Sequence, residues 1–344
     1  MTPIASTILR CGLRTARTTT ERYHPMREPR ALSFVASGAA SLVSALQAAG
    51  VLAPVVLAPV VLASVAVAGV TLALDTSAAA AQTEGGPGGS VTTANDDLFP
   101  AMFAAPREVA SYFSVLSWES PALDARVASM GIGDAFPLAL WGTENGVRAR
   151  LAIEFAVLAQ FDLDGPSFDF VNADFFVGIP VSARRGRFAV RGRFYHWSAH
   201  LGDEFLIRSG LPREEMSVEA LEVMLSEDLG PVRLIGGAVS RLRRFPKELS
   251  ESILRTGMET RPGEPLFRAG PLGWVRPVAG VDVRWTNREE WSAGLGAKLG
   301  LEVDPGIDGR RAWRVMFEYF DGPSPYGQFF RENLRFVGVG LQLR

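Results

Sequence analysis

Residues 148–163, RARLAIEFAVLAQFDL, alternate without a break. One face reads Arg148, Arg150, Ala152, Glu154, Ala156, Leu158, Gln160 and Asp162; the other reads Ala149, Leu151, Ile153, Phe155, Val157, Ala159, Phe161 and Leu163. A period of two over this length predicts a β-strand. At about 3.3 Å per residue it reaches roughly 50 Å, where ordinary strands run five or six residues.

The pattern recurs along the chain. FVNADFFVGIPVSAR (170–184) sets Val171, Ala173, Phe175, Val177, Ile179 and Val181 against Asn172, Asp174, Gly178, Pro180, Ser182 and Arg184. WSAGLGAKLGLEV (291–303), WRVMFEYF (313–320) and RFVGVGLQLR (335–344) do the same. Further strands are expected near 108–117, 130–142, 187–200, 216–229, 232–244 and 273–286, separated by turns such as TENG, RRG and TNRE. That makes eleven. No long amphipathic helix competes after residue 100.

Two architectures use such strands. A soluble barrel or sandwich turns its apolar face inward and tends to shorter strands. A transmembrane barrel puts that face against lipid and fills its lumen with small and charged residues. Gly and Ala on the polar faces fit a narrow lumen. So does the expectation that Arg150, Glu154, Arg184, Lys298, Glu302 and Arg314 find opposite charges there. Trp141, Trp197, Trp274, Trp285, Trp291, Trp313 and Tyr319 near strand ends suit interfacial girdles. The reading is an all-β antiparallel transmembrane barrel of 10–12 strands, twelve by the even-number rule. A soluble β-barrel or sandwich is the alternative, and the Leu-Arg ending departs from the aromatic end common in bacterial barrels.

The first 81 residues are of another kind. No charged side chain occurs in 31–74, Arg27 and Arg30 precede that stretch, and Ala79 and Ala81 form an A-x-A pattern. This predicts a signal segment at 1–81, with cleavage before Gln82; a retained anchor is the rival, since 24 apolar residues can span. Residues 82–98 read as a flexible leader and 99–344 as the barrel domain. Removing the six arginines and three acids of 1–81 leaves 29 basic and 34 acidic residues, a net charge of about −5. That excludes an electrostatic footprint for nucleic acid. The single Cys, Cys11, lies in the leading segment, so no disulfide framework or thiolate chemistry follows.

FYHWSAHLGDEF (194–205) is the stretch richest in chemistry. On a strand His196, Ser198 and His200 share one face, neighbours about 6.6 Å apart, and without a bulge that face points outward. A His beside a Ser is the pairing that activates a nucleophile. A hydrogen-bonded strand end is the plainer reading. His196 and His200 stand roughly 13 Å apart along a strand, too far for a shared metal, and Asp203 with Glu204 alone make no calcium site. Residues 201–215 are expected as a long rim loop, opposite short connections at 185–187 and 229–232. DGPSPYGQFF (321–330) reads as a rigid turn with Tyr326 and Gln328 exposed. No metal and no cofactor are expected.

FAAPREV (103–109), FVNADFFVG (170–178), the stretch around Tyr195–Arg208, PVAGVDV (277–283) and EYFDGPSPYGQFF (318–330) together resemble a bacterial domain-of-unknown-function family, the one numbered 1207, over about 98–344. That family implies no activity. HWS also resembles the His-x-Ser pair that lipid A 3-O-deacylases carry on the outer surface of their barrels. This likeness implies Ser198 as nucleophile, His196 as base and Glu204, or Asp203, as the group orienting it; Ala199 stands where those enzymes have Asn. The expected role is thus a structural protein of the bacterial outer membrane in contact with membrane lipid or lipopolysaccharide. An envelope lipid esterase or a small-solute pore is the alternative function, and a periplasmic or anchored chain the alternative location.

Overall fold

The computed structural model describes residues 97–143, 145–288, 290–306 and 311–344. The expected signal segment and most of the leader lie outside the described residues. The strands are β1 (Tyr112–Glu119), β2 (Asp124–Gly142), β3 (Val147–Asp162), β4 (Phe170–Arg185), β5 (Phe188–Leu201), β6 (Met216–Leu229) and β7 (Val232–Phe245). They continue as β8 (Ser252–Thr260), β9 (Phe267–Arg268), β10 (Trp274–Asn287), β11 (Trp291–Asp304), β12 (Trp313–Pro323) and β13 (Asn333–Leu343). One helix, α1 (Asp203–Ser209), follows β5. β9 is a two-residue side strand on β10. The other twelve close into an antiparallel barrel, because β8 pairs with β10 and β1 pairs with β13.

The side-chain period decides what faces out. Phe113, Ile132, Phe155, Val157, Phe317 and Val339 are exposed on the outer wall, and Leu299 is 63% exposed. Ala152, Glu154, Ala156 and Gln160, on the other face of β3, are buried. An apolar exterior around a polar interior is the membrane-barrel arrangement. No helix among the described residues is long and apolar enough to cross a membrane; a membrane barrel crosses with its strands. Each expected lumenal charge has a partner: Arg150–Asp97 at 3.1 Å, Glu154–Arg193 at 3.1 Å, Arg184–Asp228 at 2.5 Å, Lys298–Glu318 at 2.9 Å and Arg314–Glu302 at 3.0 Å.

The structure corrects several expectations. β8 is the strand missing from the tally of eleven. Its Ile253 points inward next to outward Leu254, so two adjacent apolar residues blur the alternation. The first strand starts at Tyr112 rather than 108, and β2 begins six residues before the expected 130. Val171, expected on the lipid face, is fully buried: the β3–β4 register slips between Gln160 and Phe161, and a bulge re-aims the side chain. Trp197 is no girdle residue, since its neighbour His196 points out and it points in, 3% exposed. Residues 201–215 hold α1 in place of a plain loop.

Two rims result from the strand directions. Connections 120–123, 163–169, 202–215, 246–251, 288–290 and 324–332 form the α1 rim; the start of β1 and the end of β13 lie at the terminal rim. The two-residue turns at 186–187 and 230–231 are at the terminal rim as expected, but the connection 261–273 there is long.

Candidate functional site

Residues 98–110 form no strand and thread the lumen. They enter at the terminal rim, where Arg184 donates Nε to the Leu98 carbonyl at 2.9 Å and Arg233 donates Nη1 to that of Pro100 at 2.9 Å. The Phe99 ring lies between the guanidiniums of Arg191 and Arg233, at 4.8 and 4.6 Å, and Arg314 covers Phe103 at 4.6 Å. Cation–π contacts of this kind strengthen when desolvated. The wall opens for the segment where it has no Cβ. A methyl on Gly280 would sit 3.0 Å from the Phe103 ring, and one on Gly296 would sit 2.8 Å from the Ala104 carbonyl. The chain then returns towards the terminal rim, with Ser111 Oγ on the Gly133 carbonyl at 3.0 Å.

At its far end the segment meets the α1 rim. Arg107 pairs with Asp174 of β4 at 3.2 Å, donates to the Pro325 carbonyl at 2.9 Å, and stacks 4.3 Å over Trp197 of β5. Asp174 also accepts from Asn172 at 3.2 Å and from the Gly327 amide at 3.4 Å. Four of the stretches that carry the family resemblance thereby meet around one carboxylate. Below it, Glu108 sits among Arg191, Arg193 and Arg255, at 3.1, 3.2 and 3.7 Å. Glu222 bridges the first two at 2.9 and 2.8 Å.

Residues 324–332 close the α1 rim. Tyr326, expected to be exposed, is 2% exposed and stacks on Trp118 at 5.0 Å. The polar sequence of the turn hid this, because Pro and Gly fold it back into the barrel mouth. Gln328 donates to the carbonyls of Ala199 and Glu214, at 2.9 and 2.8 Å. α1 leans on the same cap through Phe205 against Phe329 and is tied by Arg208 to Asp162 and Asp169. The lumen is occupied from the terminal side and covered at the other.

His196, Ser198 and His200 lie on the outer face of β5, in unbroken register with β4 and β6. His200 packs edge-on against outward Phe175 at 5.5 Å. Among the described residues His196 and Ser198 make no side-chain hydrogen bond with each other. Glu204 is exposed on the first turn of α1 without a polar partner, and Asp203 is taken by Arg213. The carboxylate opposite His196 on β6 is instead Glu219; among the described residues it makes no ion pair with His196 and accepts from Arg243 at 3.4 Å. Cross-strand neighbours stand about 4.5–5.5 Å apart at Cβ. The pairing of β5 with β6 was legible in outline; the register that opposes Glu219 to His196 was not.

No curated protein matches this sequence. Among solved structures the chain is similar to the outer membrane phospholipase A from Escherichia coli, with 14% identity and a TM-score of 0.46 over 70% of this chain and 93% of that one. It is similar to the KdgM porin, with 9% identity and a TM-score of 0.37 over 68% and 98%. The beta domain of the Bordetella autotransporter BrkA gives 12% and 0.36 over 68% and 98%. The family described as "Protein of unknown function (DUF1207)" matches residues 75–344, the whole barrel and its lumenal segment, and the chain belongs to that family.

Proposed function

We propose that this protein is a sealed barrel of the bacterial outer membrane with a structural role, in contact with membrane lipid or lipopolysaccharide and not conducting solutes. One observation carries the reading: residues 98–110 run through the lumen and are held by wall arginines and acids at Leu98, Phe103, Arg107 and Glu108. A pore for small solutes needs a continuous aqueous path, and this segment stands in it. Export follows the expected route, with cleavage after Ala81. Swelling of proteoliposomes in an isosmotic small sugar tests the seal: the reading expects the rate of empty liposomes, and swelling above that rate defeats it. N-terminal sequencing of envelope-purified protein tests the export step, with Gln82 as the expected first residue.

A second reading has a specific observation behind it. Glu219 opposite His196, with Ser198 two residues on along the same outer face, supports an outer-surface lipid esterase in which Ser198 attacks an acyl carbonyl, His196 takes its proton and Glu219 orients the imidazole. Glu219 replaces Glu204 in that role. Acyl release from added phospholipid or lipopolysaccharide, abolished by Ser198→Ala, supports this reading. No release by the folded wild-type barrel leaves the structural role alone.

A further inference from the structure

The lumenal charges balance except on one wall. Arg193 and Arg255 are matched by Glu222 and Asp282 at 2.8 and 2.9 Å, and Arg107 by Asp174. Among the described residues Arg241 of β7 has only neutral hydrogen-bond partners, the Ser250 carbonyl and hydroxyl at 2.8 and 2.9 Å. Arg284 of β10 has no ion pair among the described residues. The acid two positions away on its own strand, Asp282, is engaged by Arg255, which stands directly opposite Arg284 in the β8–β10 register. Like charges facing across strands destabilise a sheet.

Donors are in surplus at the same place. Arg241 Nε and the Thr286 hydroxyl are buried and without a partner. Arg241 and Arg284 line both the central chamber and the space just under the cap; Thr286 lines the latter. A buried donor left unmatched costs about 1–3 kcal/mol, and more when charged. Two guanidiniums lacking a carboxylate on the wall of one chamber call for acceptor oxygens with negative charge. Guanidinium forks match oxyanions through paired N–H donors. The central chamber has a volume of about 70 Å3, where one water needs about 10–15 Å3. That admits a small oxyanion with a few waters and excludes a sugar or a lipid chain.

We propose that the central chamber is a binding site for a small oxyanion of the phosphate class, held by Arg241 and Arg284. The anion supplies the charge that this wall lacks and separates Arg284 from Arg255 electrostatically. The site needs phosphate to enter from one rim but not to cross the lumen, so it is compatible with a barrel that conducts no solutes and is independent of lipid hydrolysis.

The test uses the folded, purified barrel in phosphate-free buffer. Inorganic phosphate is titrated against chloride at constant ionic strength while the melting temperature is followed, and equilibrium dialysis with labelled phosphate gives the stoichiometry. The expected result is one phosphate per chain and a saturable rise in melting temperature that chloride does not produce. Arg284→Gln is expected to lose the rise. In phosphate-free buffer it should melt no lower than wild type, because the variant removes the charge facing Arg255. Glycerol 3-phosphate is the arm for phosphate esters and is expected to bind at least tenfold more weakly. Equal shifts with chloride and phosphate overturn the proposal. So do undiminished phosphate binding by Arg284→Gln, a lower melting point of that variant without phosphate, or preferential binding of glycerol 3-phosphate.

Discussion

Arg107 of the lumenal segment and Asp174 of β4 meet at 3.2 Å, with Asp174 fully buried and also capping the Gly327 amide of the rim loop. One carboxylate therefore ties the N-terminal segment, the barrel wall and the cap together. Breaking a buried ion pair by removing one partner costs about 3–5 kcal/mol. Asp174→Ala is expected to cost in that range, measured by urea unfolding of the folded barrel, and Arg107→Ala less, because its guanidinium reaches the wetter side. The double variant should cost less than the two singles added, since the residues share one interaction. Strict additivity would mean that the contact carries no coupling.

Glu108 holds the lumenal segment among Arg191, Arg193 and Arg255, at 3.1, 3.2 and 3.7 Å. A cysteine in place of Ala101 should therefore resist thiol labelling in the folded barrel. Glu108→Gln removes the charge that these three guanidiniums share and is expected to label several-fold faster; a labelling rate equal to that of the parent would remove Glu108 from the account.

The outward faces are tested by charge. Val157→Arg or Leu299→Arg near the midplane should cost about 2–4 kcal/mol of barrel stability in lipid. Ala156→Arg, pointing into the lumen, should instead act by displacing the lumenal segment, seen as faster labelling at Ala101→Cys. Indifference of Val157 and Leu299 to charge would contradict a lipid-facing wall.

Much of this was readable from the residues. The strict period of two over β3, β11 and β13 gives both strand and sidedness, because a lipid-facing wall is apolar at alternate positions across many residues. β8 escaped since Ile253 and Leu254 are both apolar, and Val171 since a bulge is one residue out of register and leaves no mark in composition. The lumenal segment was harder still. FAAPREV looks like a weak strand start, and only the matching gaps at Gly280 and Gly296 reveal where its side chains go. The outward direction of His196 and Ser198 was legible from alternation, whereas Glu219 opposite His196 depends on pairing register, which a single strand does not encode. Arg284 gave no signal, since its lack of a carboxylate is a property of the assembled wall.

The glycine gaps can be filled. Gly296→Val puts side-chain atoms where the Ala104 carbonyl lies 2.8 Å from an added Cβ. Small-to-large changes in packed interiors cost about 1–3 kcal/mol. The expected outcome is a folded barrel with a displaced segment, detected as faster labelling at Ala101→Cys and a lower melting temperature. An unchanged labelling rate would mean that the wall does not grip the segment there.

Current through single barrels in planar lipid bilayers tests the sealed lumen most directly. The wild-type protein, inserted and verified as folded, should give no discrete conductance steps at neutral pH, while Asp174→Ala, which frees Arg107, should give flickering openings. Stable open steps from the wild type, at a level the Asp174 variant does not change, would contradict the account.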